Sequence, residues 1–372
     1  MQLAAQRAHL AQLADAGRLR TLAPRTGVDL SSNDYLALST SPRLIAAAQA
    51  ALARGVALGS GGSRLLRGND AEHEALEEEA ARFFGCETAL FFGSGYAANT
   101  ALLSSLPQAG DLIVHDALVH ASMHDGMRLG RAECVAATHG NAQAVDDAIA
   151  AWRARGGTGT PWIAVESLYS MDGDLTDVAA LAAVAERREA MLIIDEAHAT
   201  GVWGANGRGM AAALHGRPNV LTLNTFGKAL GCEGAVLCGP AIVRDFLVAR
   251  ARPFIFSTAP APLAAAVARE SLRIVADEPA RRARLHALID AARRHLAPLG
   301  ARVESQVVPL VIGQDRAAMQ VAAAVQAAGF DVRGIRPPTV PPGTARLRIA
   351  LTLHVGEAEI AALATVLREV LP

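Results

Sequence analysis

Two short apolar runs end on the residues best able to do chemistry. Met191-Leu192-Ile193-Ile194 leads into Asp195-Glu196-Ala197-His198, and Val220-Leu221-Thr222-Leu223-Asn224-Thr225 leads into Phe226-Gly227-Lys228-Ala229-Leu230-Gly231. Runs of this length, bounded by turn residues, read as buried strands of a parallel sheet. In open α/β sheets ligands bind beyond the carboxyl ends of the strands. A carboxylate, a histidine and a lone lysine are therefore delivered to one crevice. A lysine there can form a Schiff base with an aldehyde if its surroundings lower its pKa. A carboxylate on the neighbouring strand can keep a pyridine nitrogen protonated. That pairing is the electron-sink arrangement of pyridoxal phosphate enzymes. Taken singly, Asp195 also reads as a loop cap and Lys228 as a solvated surface lysine. Both interrupt strongly apolar strands, which favours the chemical reading.

Asp195-Glu196-Ala197-His198 also spells the DEAH box of nucleic-acid helicases. Those enzymes need a phosphate loop, G-x-x-x-x-G-K-[ST]. Here Lys228 is followed by Ala229, and Thr222 stands where the first glycine belongs. The net charge of -1 leaves no basic footprint for nucleic acid or an anionic membrane. With 372 residues, 51% of them hydrophobic, the chain can bury a core of two domains or of one large and one small. Cys86, Cys134, Cys232 and Cys238 form no C-x-x-C pair and no zinc spacing, so reduced thiols, a cytoplasmic location and no metal are expected. Met1 to Leu22 is broken by Arg7, His9, Asp15 and Arg18, unlike a signal peptide, and no apolar run is long enough to span a membrane.

The elements that would position these groups follow in order. Residues 1 to about 23 read as an amphipathic helix. Ser41-Pro42 opens another that runs to about Arg54. Gly59-Ser60-Gly61-Gly62-Ser63 is either a plain loop or a set of N–H groups for an anion. A helix over Ala71 to Phe84 precedes the strand Thr88–Phe92. Gly93-Ser94-Gly95-Tyr96 then turns into a helix whose first N–H groups suit a phosphate. Strands at Leu112–His115, Glu133–Ala137 and Trp162–Glu166 alternate with helices, which predicts a mainly parallel, doubly wound sheet. Gly234–Cys238 adds one more strand. After helices between about Pro262 and Leu296 come a strand at Val307–Ile312, a helix over Arg316–Ala328, a strand at Ala345–Leu351 and a helix from Glu357. Pro337-Pro338-Thr339-Val340-Pro341-Pro342 can be neither helix nor central strand. The expected division is an N-terminal arm at 1-38, a large domain at 39-270 and a smaller C-terminal α/β domain at 271-372.

Taken together, the motifs Ser32-Asn33-Asp34-Tyr35, Gly59-Ser60-Gly61-Gly62-Ser63, Val119-His120-Ala121-Ser122, Glu166-Ser167-Leu168-Tyr169-Ser170-Met171-Asp172-Gly173, Asp195-x-x-His198 and Thr225-Phe226-Gly227-Lys228 resemble the α-oxoamine synthases. The resemblance covers about residues 15 to 370. It implies a fold-type I pyridoxal phosphate enzyme, α/β, with a mainly parallel seven-stranded sheet. Such enzymes condense an amino acid with an acyl thioester and release CO2. By the same resemblance Lys228 is the covalent anchor and proton-transfer base. Asp195 serves the pyridine nitrogen, His198 the phenolic oxygen, and His120 the ring face. Gly95, Tyr96 and Thr225 meet the phosphate. Ser257 and Thr258 reach it from the other subunit of a homodimer, and Ser170, Asn33 and Glu166 occupy polar active-site positions. Arg348 holds the amino-acid carboxylate, a bidentate task that suits a guanidinium. Arg18, Arg336 and Thr339 are tied to the acyl substrate or its carrier. Read alone, His120 also fits a satisfied loop histidine, Arg348 a solvent-facing strand residue and Arg18 an exposed helix charge.

The segment Ile335 to Arg348 most resembles the branch of the family that joins L-alanine to pimeloyl-CoA or a pimeloyl-acyl carrier protein in biotin synthesis. Sister enzymes such as 5-aminolevulinate synthase and glycine C-acetyltransferase differ there and stand as the alternative. No nucleic-acid or membrane partner is implied.

Overall fold

In the computed structural model, which describes residues 2–22 and 24–371, the chain forms two compact units. The larger comprises Leu36–Tyr169 and Leu175–Arg282. The smaller comprises the segment up to Tyr35, Ser170–Asp174 and the chain from Ala283 onward.

The larger unit is built on a seven-stranded sheet. Its spatial order is Thr88–Phe92, Ala235–Gly239, Val220–Thr225, Met191–Asp195, Pro161–Glu166, Leu112–Asp116 and Glu133–Ala137. Neighbours from Val220–Thr225 through Glu133–Ala137 pair in parallel, and Ala235–Gly239 runs antiparallel between its two neighbours. The mainly parallel sheet is as expected from the alternation of elements. The direction of Ala235–Gly239 was not legible, because a short apolar run reads the same in either direction.

Both faces of this sheet are covered, which is why its strands are apolar without alternation. Alternate residues still go to opposite faces. Ile193, Leu221 and Leu223 pack with Ala98, Leu102 and Met123 from the helices Gly95–Ser105 and Ala121–Leu129. Leu192, Ile194 and Val220 pack on the other face with Ile149, Leu181 and Ala185 from Ala142–Ala154 and Val178–Arg187. The same alternation sends Asp195 toward the first set of helices and Glu196 toward the second. One position of slip would exchange them.

The smaller unit carries a three-stranded antiparallel sheet, ordered Arg333–Ile335, Ala345–Ala350, Val307–Gly313. The proline-rich stretch forms the loop between two of these strands. The segment expected as a separate arm belongs here instead. Val28–Asp29 pairs in parallel with Phe330–Asp331, and Arg18 Nε meets Asp315 Oδ2 at 2.8 Å. Ser170–Asp174, placed by sequence in the large domain, also clusters here. Ser305 Oγ donates to Gly173 O at 2.6 Å, and a side chain at Gly173 would strike the carbonyl of Val307. The expected N-terminal helix is shorter than 1 to about 23: it spans Ala4–Asp15 and buries no residue within the chain. Gly17, at φ 67°, turns the chain after it. Met1, Ala23 and Pro372 lie outside the described residues. Among the described residues no helix is long and apolar enough to cross a membrane.

Candidate active site

Three parallel strands end together on the polar residues of the larger unit. Asp195 closes its strand at 5% exposure. Its Oδ1 accepts from the backbone N–H of Ala197 at 2.8 Å, and its Oδ2 accepts from Asn99 Nδ2 at 2.7 Å. His198, three residues on, is also buried. Its Nε2 lies 2.8 Å from Nζ of Lys228, which arrives half-buried from the end of the adjacent strand. His120 caps the helix Ala121–Leu129, with Nδ1 2.8 Å from Ser122 Oγ. Desolvation lowers the pKa of the His120 ring, although the residue is exposed at the surface of the chain. Attraction to Asp195 opposes that lowering, and Lys228 adds to it. The imidazole is therefore held toward its neutral form within the field of both groups.

Below this cluster the helix Gly95–Ser105 begins. Ser94 caps it, accepting the Ala97 N–H through Oγ at 3.1 Å, and leaves the first-turn N–H groups of Gly95 and Tyr96 for an anion. The Tyr96 side chain is exposed and hydrogen-bonds Asp125, so only its backbone faces that role. The Thr225 hydroxyl, expected at the phosphate, donates to Gly234 O and accepts from Gly227 N–H, both at 3.1 Å. It shapes the turn that carries Lys228. Ser257 and Thr258 are exposed. They line a cavity of about 110 Å3 together with Arg64, Phe92, Gly93 and Ser94. The Gly59–Ser63 loop packs within the chain: Ala259 N–H donates to Gly62 O at 2.9 Å and Ser60 Oγ to Pro260 O at 2.5 Å.

The residues of the larger unit fit the cofactor that the sequence implies. Each oxygen of the Asp195 carboxylate is met by a neutral N–H donor. A buried anion without a formal counter-charge in contact is expensive, and a protonated pyridine ring supplies one. The single amine of the region stands at the end of the neighbouring strand, and a helix N-terminus stands ready for a phosphate. Lys228 is in fact the only lysine in the chain.

The smaller unit holds a second cluster. Arg348 is 7% exposed on its strand, donating through Nε to Ser170 O at 2.7 Å and through Nη2 to Asn33 Oδ1 at 3.0 Å. The Tyr35 hydroxyl meets the same Asn33 oxygen at 3.0 Å, and burial raises the Tyr35 pKa while Arg348 opposes it. Asn33, Ser170 and Arg348 are thus brought together from three separate stretches of sequence. Arg348 is not the solvent-facing strand residue that its alternation with Leu347 and Ile349 also allowed. Arg18, Arg336 and Thr339 meet along the N-terminal segment: Arg336 Nη2 donates to Leu19 O at 2.9 Å, and Arg20 Nη2 to Thr339 Oγ1 at 2.9 Å. Arg18 is engaged by Asp315.

Asn99, Ser122, Arg346 and Glu196 had no role assigned from the sequence. Asn99 and Ser122 link Asp195 to His120; Asn99 is a polar residue in a largely apolar helical stretch, whereas Ser122 sits beside His124 and Asp125 with no such signal. Arg346, 3% exposed, bonds Asp172 Oδ1 at 2.5 Å and Met171 O at 3.2 Å; it looked like one more charged residue of a strand. Glu196, fully buried, accepts from Ser167 Oγ, Met210 N–H and Ala211 N–H at 2.8, 2.9 and 2.6 Å. Glu166 is buried at its strand end, with Thr176 Oγ1 on its carbonyl.

Residues 25–367 match the family model for aminotransferase class I and II. A protein of Anaeromyxobacter dehalogenans (strain 2CP-1) named 8-amino-7-oxononanoate synthase is 44% identical over 94% of this chain and 87% of its own length. One of the same name from Mycobacterium sp. (strain JLS) is 41% identical over 96% and 93%. Among solved structures, a serine palmitoyltransferase from S. paucimobilis with bound PLP superposes with a TM-score of 0.88 at 26% identity, covering 99% of this chain and 98% of that one. An 8-amino-7-oxononanoate synthase from Francisella tularensis gives 0.78 at 26% identity, over 92% and 97%.

Proposed function

Because the chain belongs to the 8-amino-7-oxononanoate synthases, pyridoxal phosphate enzymes of the class I and II aminotransferase family, we propose that it joins L-alanine to a pimeloyl thioester. The products are 8-amino-7-oxononanoate, CO2 and free thiol, a step of biotin biosynthesis. The observation that carries this reading is the meeting of Lys228, His198, Asp195 and His120 at the carboxyl ends of adjacent parallel strands.

Lys228, His198, Asp195, His120 and the N–H groups of Gly95 and Tyr96 would hold the cofactor, with Thr225 and, by the resemblance, Ser170 as further contacts and Ser257 and Thr258 reaching it from the other subunit. Bound there, pyridoxal phosphate supplies an electron sink that makes the alanine Cα proton removable. Lys228 takes that proton on Nζ and later returns one. His198, 2.8 Å away, orients the amine before and after transfer. The Asp195 carboxylate would keep the cofactor's ring nitrogen protonated, a preorganised charge in a buried position. His120, kept toward neutrality, would contact the ring without adding a positive charge. Arg348, held within the smaller unit by Asn33 and Ser170, is the residue that the resemblance gives for the alanine carboxylate that departs as CO2. Arg18, Arg336 and Thr339 serve the acyl donor.

The reading includes a homodimer in the cytoplasm. Leu65, Leu66 and Phe256 are 48%, 85% and 71% exposed beside the Ser257-Thr258 stretch and the glycine loop, which suits a second copy covering them. None of the four cysteines is in a disulfide, which suits a reducing compartment. The test is thiol release across acetyl-, succinyl-, palmitoyl- and pimeloyl-CoA, each with alanine, glycine and serine. Preference for pimeloyl-CoA with alanine is expected. Slow turnover of glycine is compatible, since one methyl in a pocket is worth only about 1–3 kcal/mol. Preference for glycine with succinyl- or acetyl-CoA, or for serine with palmitoyl-CoA, refutes the substrate assignment.

A further inference from the structure

One buried amide touches two of the groups that flank the proposed cofactor site. Asn99 is 1% exposed on the helix Gly95–Ser105. Its Nδ2 donates to Asp195 Oδ2 at 2.7 Å and to Ser122 Oγ at 3.0 Å. Its Oδ1 is buried and has no hydrogen-bond partner among the described residues. An orphaned buried acceptor is costly, so packing gives no reason for an amide among Ala98, Ala101 and Leu102. Turning the amide over would set Oδ1 against the Asp195 carboxylate, acceptor to acceptor. The carboxylate therefore settles which end of the amide faces it.

The second amide proton leads to His120. The Ser122 backbone N–H lies 3.2 Å from His120 Nδ1, and a backbone N–H can only donate, so Nδ1 is an acceptor. Ser122 Oγ accepts from Asn99 and lies 2.8 Å from the same Nδ1, so its own proton goes there. Neutral His120 then carries its proton on Nε2. The depressed pKa of the ring, caused first by desolvation, agrees with a neutral imidazole.

We infer that Asn99 is a positioning residue that, through one amide, orients the Asp195 carboxylate and, by way of the Ser122 hydroxyl, reinforces the Nε2–H tautomer of His120 that the Ser122 backbone N–H sets. The inference rests on the assignment of Asp195 to the ring nitrogen, which it deepens. A donor on Asp195 lowers the proton affinity of the carboxylate, so the shared proton stays on the ring nitrogen rather than moving to oxygen.

The test is nitrogen NMR of the holoenzyme, with ring-labelled pyridoxal phosphate in one sample and labelled histidine in another. The His120 signals are identified by their loss in His120→Asn. In the unsubstituted protein the ring nitrogen reads as protonated and His120 as a single Nε2–H tautomer. In Asn99→Ala the ring nitrogen moves toward its unprotonated position, with a midpoint displaced by about one pH unit, tenfold in proton affinity. The His120 Nδ1 signal shifts as the Ser122 hydroxyl loses the donor that orients it, while the Ser122 backbone N–H keeps the Nε2–H tautomer. Ser122→Ala disturbs His120 and leaves the ring nitrogen near its original position. Asn99→Asp, equal in volume, carries the test if Asn99→Ala does not fold, and displaces both signals. Wild-type positions for both signals in the Asn99 variant overturn the inference. Asp195→Asn separates the two readings. If it leaves the ring nitrogen unmoved, the role of Asp195 falls, and an unchanged His120 in the Asn99 variant then refutes the coupling by itself.

Discussion

Replacing Asp195 by Asn should cost more in rate than in stability, and the hydrogen bonds around it say why. The carboxylate accepts two N–H donors, from Ala197 at 2.8 Å and Asn99 at 2.7 Å. An asparagine keeps the volume but offers one acceptor and one NH2. The Ala197 backbone cannot turn, so the new oxygen stays with it and the NH2 faces Asn99. Asn99 can then flip and present Oδ1, which has no partner to lose. The flip withdraws Nδ2 from Ser122 and leaves the buried NH2 without an acceptor where Oδ1 had no partner, a cost of about 1–3 kcal/mol. The functional loss is the charge itself. Removing one preorganised electrostatic contact typically lowers kcat by about 10²–10³, or about 2.7–4 kcal/mol. Steady-state thiol release with L-alanine and pimeloyl-CoA at saturating cofactor measures the rate, and urea unfolding measures stability. A kcat within tenfold of wild type, in a protein that binds cofactor normally, refutes the electron-sink assignment. A rate loss matched by an equal loss of stability refutes the claim that the fold tolerates the change.

Lys228→Ala should abolish turnover and leave no ε-amine in the chain; borohydride reduction followed by peptide mapping should then fix no cofactor on any side chain, and residual turnover above about a thousandth refutes the role. Arg348→Lys keeps the charge but loses the planar fork that spans Ser170 O and Asn33 Oδ1. KM for L-alanine should rise by about 10–100-fold, with a smaller effect on kcat, and an unchanged KM removes Arg348 from carboxylate binding. Burial pushes the Glu196 carboxyl up from 4.5 to about 7, against its three donors and with the Asp195 charge adding to the rise. The native protein therefore keeps a proton that the unfolded chain has released between those pH values. Stability contributed by this group falls as pH rises, by about 1.4 kcal/mol per unit and about 3 kcal/mol across the window. The difference in unfolding free energy between the protein and Glu196→Gln, followed by urea titration from pH 4.5 to 7.5, should change by about that amount; a flat difference refutes the raised pKa.

The order of strands and helices, the end of each apolar run and the residues placed there were decided by local sequence. An apolar run bounded by turn residues has few other uses than a covered strand, and Asp195 and Lys228 stood out because each breaks one. The lone lysine needed no fold to be noticed. What lay beyond the sequence was everything set by contacts between distant stretches. The N-terminal segment joins the smaller unit because Val28–Asp29 finds an edge at Phe330–Asp331, a pairing without a local signal. Arg346 and Arg348 look alike in sequence, yet one meets Asp172 and the other Ser170 and Asn33, since partners from other loops determine what a guanidinium does. Asn99 reads as one polar residue in an apolar helix until the packing of Gly95–Ser105 on the strand of Asp195 sets its amide 2.7 Å from the carboxylate. A hydrogen bond has a direction as well as a length, and both depend on which elements the fold presses together.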